Sequence, residues 1–150
     1  MKVSKKTEYG LRAMVCIATL AGTSHPVPLP TVAVAEDIPE QFLDQIISKL
    51  RKTGFVRSVR GASGGYLLSR PANEIKIGSL VRVLEGSLAP IGCVSEEALF
   101  SPEGFCERSV GCQTRNVWLR VLKALTTALD SISLADVMKD GVPLAAIVEA

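Results

Sequence analysis

The chain has 150 residues, a formal net charge of +2, 47% hydrophobic and 21% charged residues, and four cysteines. That length holds one domain, or one small domain with an appendage, and buries a core without covalent staples. The apolar share exceeds what one small domain needs, which points to an oligomer, and no run approaches the ~18 apolar residues of a membrane span.

Lys2, Lys5 and Lys6 precede an apolar run from Ala13 to Gly22, as in a signal peptide. Glu8 and Arg12 interrupt the approach, and Leu11, Met14, Val15, Ala18 and Ala21 fit a helical stripe instead. The expected location is therefore the cytoplasm, where cysteines stay reduced unless they bind metal or sense redox state. A first helix is predicted over 4–21, with Ser4 or Thr7 as cap and Glu8 in its first turn. The next segment carries Pro26, Pro28 and Pro30 and reads as a loop. A short helix over Thr31–Glu36 and a turn at Asp37-Ile38 follow.

The stretch from Pro39 to Pro71 reads as a helix, a stop and a glycine-rich hairpin. Phe42, Leu43, Ile46, Ile47 and Leu50 form one apolar stripe, and Gln41, Asp44, Gln45, Ser48, Lys49, Arg51 and Lys52 the opposite face. Gly54 stops the helix. Residues 55–60 have strand composition, Gly61-Ala62-Ser63-Gly64-Gly65 supplies positions tolerant of positive φ, and Tyr66-Leu67-Leu68 returns as a second strand. Lys49, Arg51, Lys52, Arg57, Arg60 and Arg70 stand here against only Glu40 and Asp44. A polar helix followed by a basic hairpin is the physical form of a winged helix, whose helix enters the major groove while the wing reaches the flanking backbone. Gln41 and Gln45 can read adenine edges and Asp44 a cytosine amino group; Lys49 and Arg51 suit phosphates, and Arg60 at the wing tip suits phosphate or the minor groove. A solvated helix face is the ordinary alternative for these residues.

Beyond Pro71 a turn, an extended Ile75–Ile77 and a helix over Gly78–Glu85 are expected. Residues 87–113 change character: they hold Cys93, Cys106 and Cys112, and no sustained periodicity. A loop of this length is usually functional. A long helix is predicted over Thr114–Ser131, with one stripe of Trp118, Val121, Leu122, Leu125, Leu129 and Ile132 and a second of Val117, Val121, Ala124 and Ala128. A helix apolar on two sides must be covered on two sides, and the alanine-bearing side suits a partner chain. Ser133–Met138 reads as a short helix with a capping-box pair, Ser133 and Asp136, and the remaining residues as a loose tail.

Cys16 reads as a buried small hydrophobe. Three thiols within 20 residues suggest a soft-metal or iron–sulfur site, with a redox thiol pair or loop cysteines without a role as alternatives. Glu8 of the partner subunit is the candidate fourth ligand, if that helix reaches the loop; a Glu favoured by the helix dipole is the bland reading. No Ser/His/Asp set exists, His25 lacks a carboxylate neighbour, and no helix follows Gly61–Gly65 to cradle a phosphate, so an enzyme is not expected.

The run Leu50-Arg51-Lys52, Gly54, Val56, Ser58-Val59-Arg60-Gly61, Gly64-Gly65-Tyr66 and Leu68 closely resembles the IscR/NsrR/CymR family of winged-helix transcriptional regulators. Tyr9-Gly10-Leu11-Arg12-Ala13, Ile77-Gly78 and Val83 with Glu85-Gly86 extend the match over essentially the whole chain. The resemblance implies a mostly α fold with a small β-hairpin. It divides into a winged helix-turn-helix over 1–86, a cysteine-bearing sensor loop over 87–113, and a dimerisation helix and tail over 114–150. It further implies a homodimer on palindromic operator DNA, with Gln41, Phe42, Asp44, Gln45, Arg60 and Gly61 at the DNA, and an iron–sulfur cluster on Cys93, Cys106 and Cys112. The interval between Cys93 and Cys106 is wider than in IscR and NsrR types, and Arg115 stands where IscR places a histidine ligand. Asp44 stands where a close relative has glutamate. Other members use an acidic residue near the start of the first helix, which matches Glu8. The expected function is repression governed by redox, nitric-oxide or iron–sulfur status; control of the same fold by thiol oxidation, a small ligand or a protein partner is the alternative, and an iron–sulfur redox enzyme is disfavoured.

Overall fold

A computed structural model describes residues 2–21, 24–100 and 106–139. Helix α1 (Lys5–Ala21) is the central post, buried through Met14 and Ile17, and it packs on α2 (Leu29–Glu36), α3 (Glu40–Lys52), α4 (Ile77–Glu85) and α7 (Leu134–Lys139). Gly10 lets these helices meet. A methyl group there would stand 2.5 Å from Leu84 Cδ1 and 3.3 Å from Ile46 Cγ2. The stripe predicted for α3 is the buried one, with Leu43, Ile46, Ile47 and Leu50 closed off from solvent.

Helix α2 begins two residues earlier than the proline spacing suggests. Pro28 is its N-cap and Pro30 lies in the first turn, where no amide hydrogen is required. Asp37 ends it in the left-handed region at φ 49°, its amide bonding back to the Ala33 and Val34 carbonyls, a conformation aspartate tolerates better than most residues. That turn sets α3 across α2.

The wing pairs β1 (Val56–Val59) antiparallel with β2 (Gly65–Leu68), Val56 opposite Leu68 and Val59 opposite Gly65. It does not stand alone. Val27 N donates to Tyr66 O and Tyr66 N to Val27 O, both at 2.9 Å, so the loop between α1 and α2 forms a third rail. Gly65 permits this, because a Cβ there would strike the Val27 carbonyl.

The extended segment before α4 has a purpose that its sequence does not disclose. Ile77 N donates to Ile132 O at 2.9 Å and Leu134 N to Ile75 O at 2.8 Å, tying the end of α6 (Gln113–Ser131) to the head. The capping box opening α7 is formed as expected: Asp136 N donates to Ser133 Oγ at 3.2 Å and Ser133 N to Asp136 Oδ2 at 2.9 Å. The 87–113 stretch is less irregular than its lack of period implies. A 3-10 turn at Gly92–Val94 leads into α5 (Glu96–Phe100), where Ser95 Oγ accepts from Ala98 N at 3.2 Å. The segment expected to be a loose tail falls outside the described residues after Lys139. Among the described residues no helix is long and apolar enough to cross a membrane.

Candidate nucleic-acid interface and cysteine loop

The buried stripe of α3 fixes what its other side presents. Gln41, Asp44 and Gln45 are exposed on one face, with Ser48 and Lys49 half-exposed further along it, and Arg51 and Lys52 stand exposed in the last turn. Basic side chains at that end also complement the helix dipole. Beside this face the wing exposes Arg57 and Ser58 on β1, then Arg60 and Gly61 at its tip. Gly61 takes φ 118°, and the Gly64 amide bonds its carbonyl at 3.0 Å, closing the tip into a tight loop that points Arg60 outward. Helix and wing thus form one continuous surface of hydrogen-bonding and cationic groups. The α3 residues suit base edges and the wing suits the sugar-phosphate rail.

Phe42 differs from its polar neighbours. It is half-buried, edge-on to the Tyr9 ring with centroids 5.7 Å apart, so its first task is to seat α3 on α1. Arg12 ties α1 to the end of α2: its Nε donates to Glu36 Oε2 at 3.0 Å, and its guanidinium lies 5.5 Å from the Tyr9 centroid.

Lys6 is a residue the sequence reading missed. Its side chain sits against Lys49, and this like-charge contact, with some burial, pushes the Lys49 ammonium below the usual lysine range. A second cation near Lys49 adds positive charge at this end of the surface, a repulsion that a phosphate would relieve. No local sequence signal marks the pair, because the residues lie on different helices.

The cysteines divide as their surroundings dictate. Cys16 is buried in α1, and desolvation pushes its thiol up, away from reactivity. Cys93, Cys106 and Cys112 are free thiols, Cys106 exposed and the other two half-buried. Cys112 is the N-cap of α6. Its sulfur lies 3.2 Å from Thr114 Oγ1, and this contact, with the Arg115 amide, holds the thiol below its ordinary range. Arg115 Nε donates to Cys93 O at 3.1 Å, joining the Cys93 turn to the first turn of α6. Three soft donors, one predisposed to the thiolate form, have the chemistry an iron–sulfur cluster needs. Among the described residues of one chain, no three His, Cys, Asp or Glu side chains are already gathered around a common point. Glu8 is half-exposed on α1, paired with Lys5 at 2.8 Å and more loosely with Arg12 at 3.8 Å.

Helix α6 carries no buried residue. Val117 is 56% and Trp118 36% exposed, while Leu122, Leu125 and Leu129 are half-buried against the head. A bidentate pair, Arg82 Nη1 and Nη2 to Asp130 at 2.8 and 2.6 Å, ties it to α4.

A three-helix head, a helix with a polar outer face, and a basic two-stranded wing define a winged helix-turn-helix DNA-binding protein. A family model described as "Rrf2: Iron-dependent Transcriptional regulator" matches residues 3–140. The chain belongs to this family. It is 35% identical to protein rrf2 of Nitratidesulfovibrio vulgaris over 140 residues, covering 93% of this chain and 89% of that one. Among solved structures it is similar to T. potens IscR (40% identity, TM-score 0.73, 95% of this chain and 89% of that one). It is likewise similar to CymR of B. subtilis, titled its global cysteine regulator (33% identity, TM-score 0.73, 93% and 97%). The family and its relatives are transcriptional regulators, and this chain is a regulator of that kind, not an enzyme.

Proposed function

We propose that the protein is a homodimeric transcriptional repressor in the cytoplasm. In this reading, residues 1–86 bind one half of a palindromic operator, 87–113 sense the signal, and 114–150 hold the dimer. The observation that carries the sensing is the cysteine loop itself: three free thiols, none of them buried, in a loop pinned to the first turn of α6 by Arg115 and Cys93. Gln41, Asp44 and Gln45 read bases, with Phe42 holding that helix in register; Lys49, Arg51, Arg60 and Gly61 contact the backbone, joined by Lys6.

An iron–sulfur cluster would be held by Cys93, Cys106 and Cys112 of one subunit and Glu8 of the partner subunit. When bound, it supplies a group whose oxidation state and integrity follow iron, oxygen or nitric oxide. The chain's own residues carry the consequence. A held loop fixes the start of α6, α6 is fixed to α4 by Arg82 and Asp130, and the 132–134 segment is fixed to 75–77. A change at the loop therefore reaches the head through packed elements and shifts DNA affinity by the difference between two states.

The half-buried, thiolate-prone Cys112, with the exposed Cys106 in the same loop, supports a second reading, in which that loop is a thiol switch without a cluster. The separating experiment is operator binding by anaerobic protein before and after chelation, and before and after mild peroxide. A response to chelation that is lost in Cys106→Ser supports the cluster. A response to peroxide alone, reversed by thiol reductant, supports the switch.

A further inference from the structure

Helix α6 has three faces, resolved by its ~100° per residue. Arg115, Leu119, Leu122 and Thr126 face their own head: Arg115 bonds Cys93 O, and Leu122 and Thr126 line a cavity with Arg82 and Glu96. Val117, Val121, Ala124 and Ala128 lie within an arc of about 60°, centred about 160° away. Trp118, Leu125 and Leu129 lie between the two, about 90° from that outer stripe.

The outer stripe is symmetric in sequence about a point between Leu122 and Lys123. A two-fold axis there sets Val117 against Ala128 of the partner subunit and Val121 against Ala124 of the partner subunit. This reciprocal pattern is what an isologous contact requires, and the small residues allow close approach. The two-fold runs perpendicular to the plane of the paired helices, so the flank carrying Trp118 lies on the same side of both. Trp118 then comes level with Thr127 of the partner subunit, within about 3 Å along the axis of the partner's Leu125 and the partner's Leu129.

Those two leucines edge an apolar groove of about 440 Å³, completed by Val3 ahead of α1, Leu11 of α1, Val81 of α4, and Leu88. Among the described residues no side chain is seated in this groove, and Trp118 is a large apolar group left 36% exposed.

The geometry points to reciprocal docking: Trp118 of each subunit seats in the groove between α1, α4 and α6 of the other. The occupant is a second copy of this chain, and the inference rests on the homodimer proposed above. It makes one residue the anchor of the interface, and it places the start of each α6, with its Cys112, beside the α1 of the other subunit.

Trp118 is the only tryptophan, so its fluorescence reports this site alone. Sedimentation equilibrium and acrylamide quenching are measured on the full chain. In the dimer the emission is blue-shifted and poorly quenched, and it becomes freely quenched on dilution to monomer. Leu88→Gln, and Val3→Gln at the exposed rim where folding is not at risk, raise quenching although neither touches Trp118 within its own helix. Trp118→Ala raises the dimer dissociation constant by about tenfold or more, as an aromatic anchor does. A stable dimer whose tryptophan is freely quenched overturns the docking and leaves the dimer standing, and so does wild-type quenching in both groove variants. The same results would follow if residues 140–150 of the same chain filled the groove. A chain that stays monomeric at micromolar concentration overturns the homodimer beneath it.

Discussion

Replacing Gly65 with alanine tests how the wing is held. The wing is two short strands, too little to be stable alone, and its third rail is the pair of Val27–Tyr66 hydrogen bonds. A Cβ on Gly65 would collide with the Val27 carbonyl and stand 2.7 Å from Pro28 N, both backbone atoms that cannot swing aside. Separating the rails forfeits two hydrogen bonds of about 0.5–1.5 kcal/mol each, and residual overlap adds about 1–3 kcal/mol. The expected loss is about 2–6 kcal/mol. At fixed protein concentration this lowers Tm by at least about 5 °C for a chain of this size. Because Arg57 and Arg60 ride on the displaced strands, operator affinity falls as well. Urea unfolding and a DNA titration on the same preparation give both numbers. A destabilisation under about 0.5 kcal/mol, within the range of an ordinary surface change, would refute the claim that backbone contact at Gly65 seats the wing.

Arg60→Ala should weaken operator binding and reduce the slope of log affinity against log salt by about 1.8, one phosphate contact of about 0.9 from each wing of the dimer; an unchanged slope removes Arg60 from the backbone contacts. Glu85 accepts hydrogen bonds from Thr7 and Ser4, which hold its carboxyl below the usual range. A depressed carboxylate stabilises the fold above its unfolded pKa of about 4.3 and loses that contribution as pH falls through the folded value. Glu85→Gln should therefore be less stable than wild type near neutrality, the difference narrowing in acid; a pH-independent difference in urea midpoints contradicts the linkage. Leu125→Glu puts a charge at the edge of the groove proposed to receive the partner subunit's Trp118, and it should yield a monomer by sedimentation; a dimeric mass misplaces the interface.

The sequence discloses the head because its elements repeat a period long enough to read. The α3 stripe is unambiguous, and Gly54 and the 61–65 run mark the turns that positive φ demands. Helix α2 starts earlier than read because proline forbids only interior helical positions, and Pro30 occupies the first turn. Helix α5 spans five residues and cannot display a helical period. The pairing of Ile75 and Ile77 with Ile132 and Leu134 joins residues about sixty positions apart, and no local pattern encodes it. The site divides the same way. Gln41, Asp44, Gln45, Arg51 and Arg60 were legible as polar residues opposite an apolar stripe or on a basic hairpin, and the structure exposes each of them. Phe42 serves the α1–α3 junction first, and Lys6 joins Lys49 only through the packing of α1 on α3. Cys93, Cys106 and Cys112 were legible as a group, while the link from Arg115 to the Cys93 carbonyl was not.

The sensing role is tested most directly by anaerobic purification, with an absorbance spectrum and iron and acid-labile sulfide counts on wild type and Cys106→Ser. The account predicts visible bands with matched iron and sulfide in wild type, and neither in a Cys106→Ser protein that remains folded. A colourless wild-type protein that takes up no iron on anaerobic reconstitution, yet binds duplex DNA, would contradict the cluster and leave a regulator controlled through its thiols.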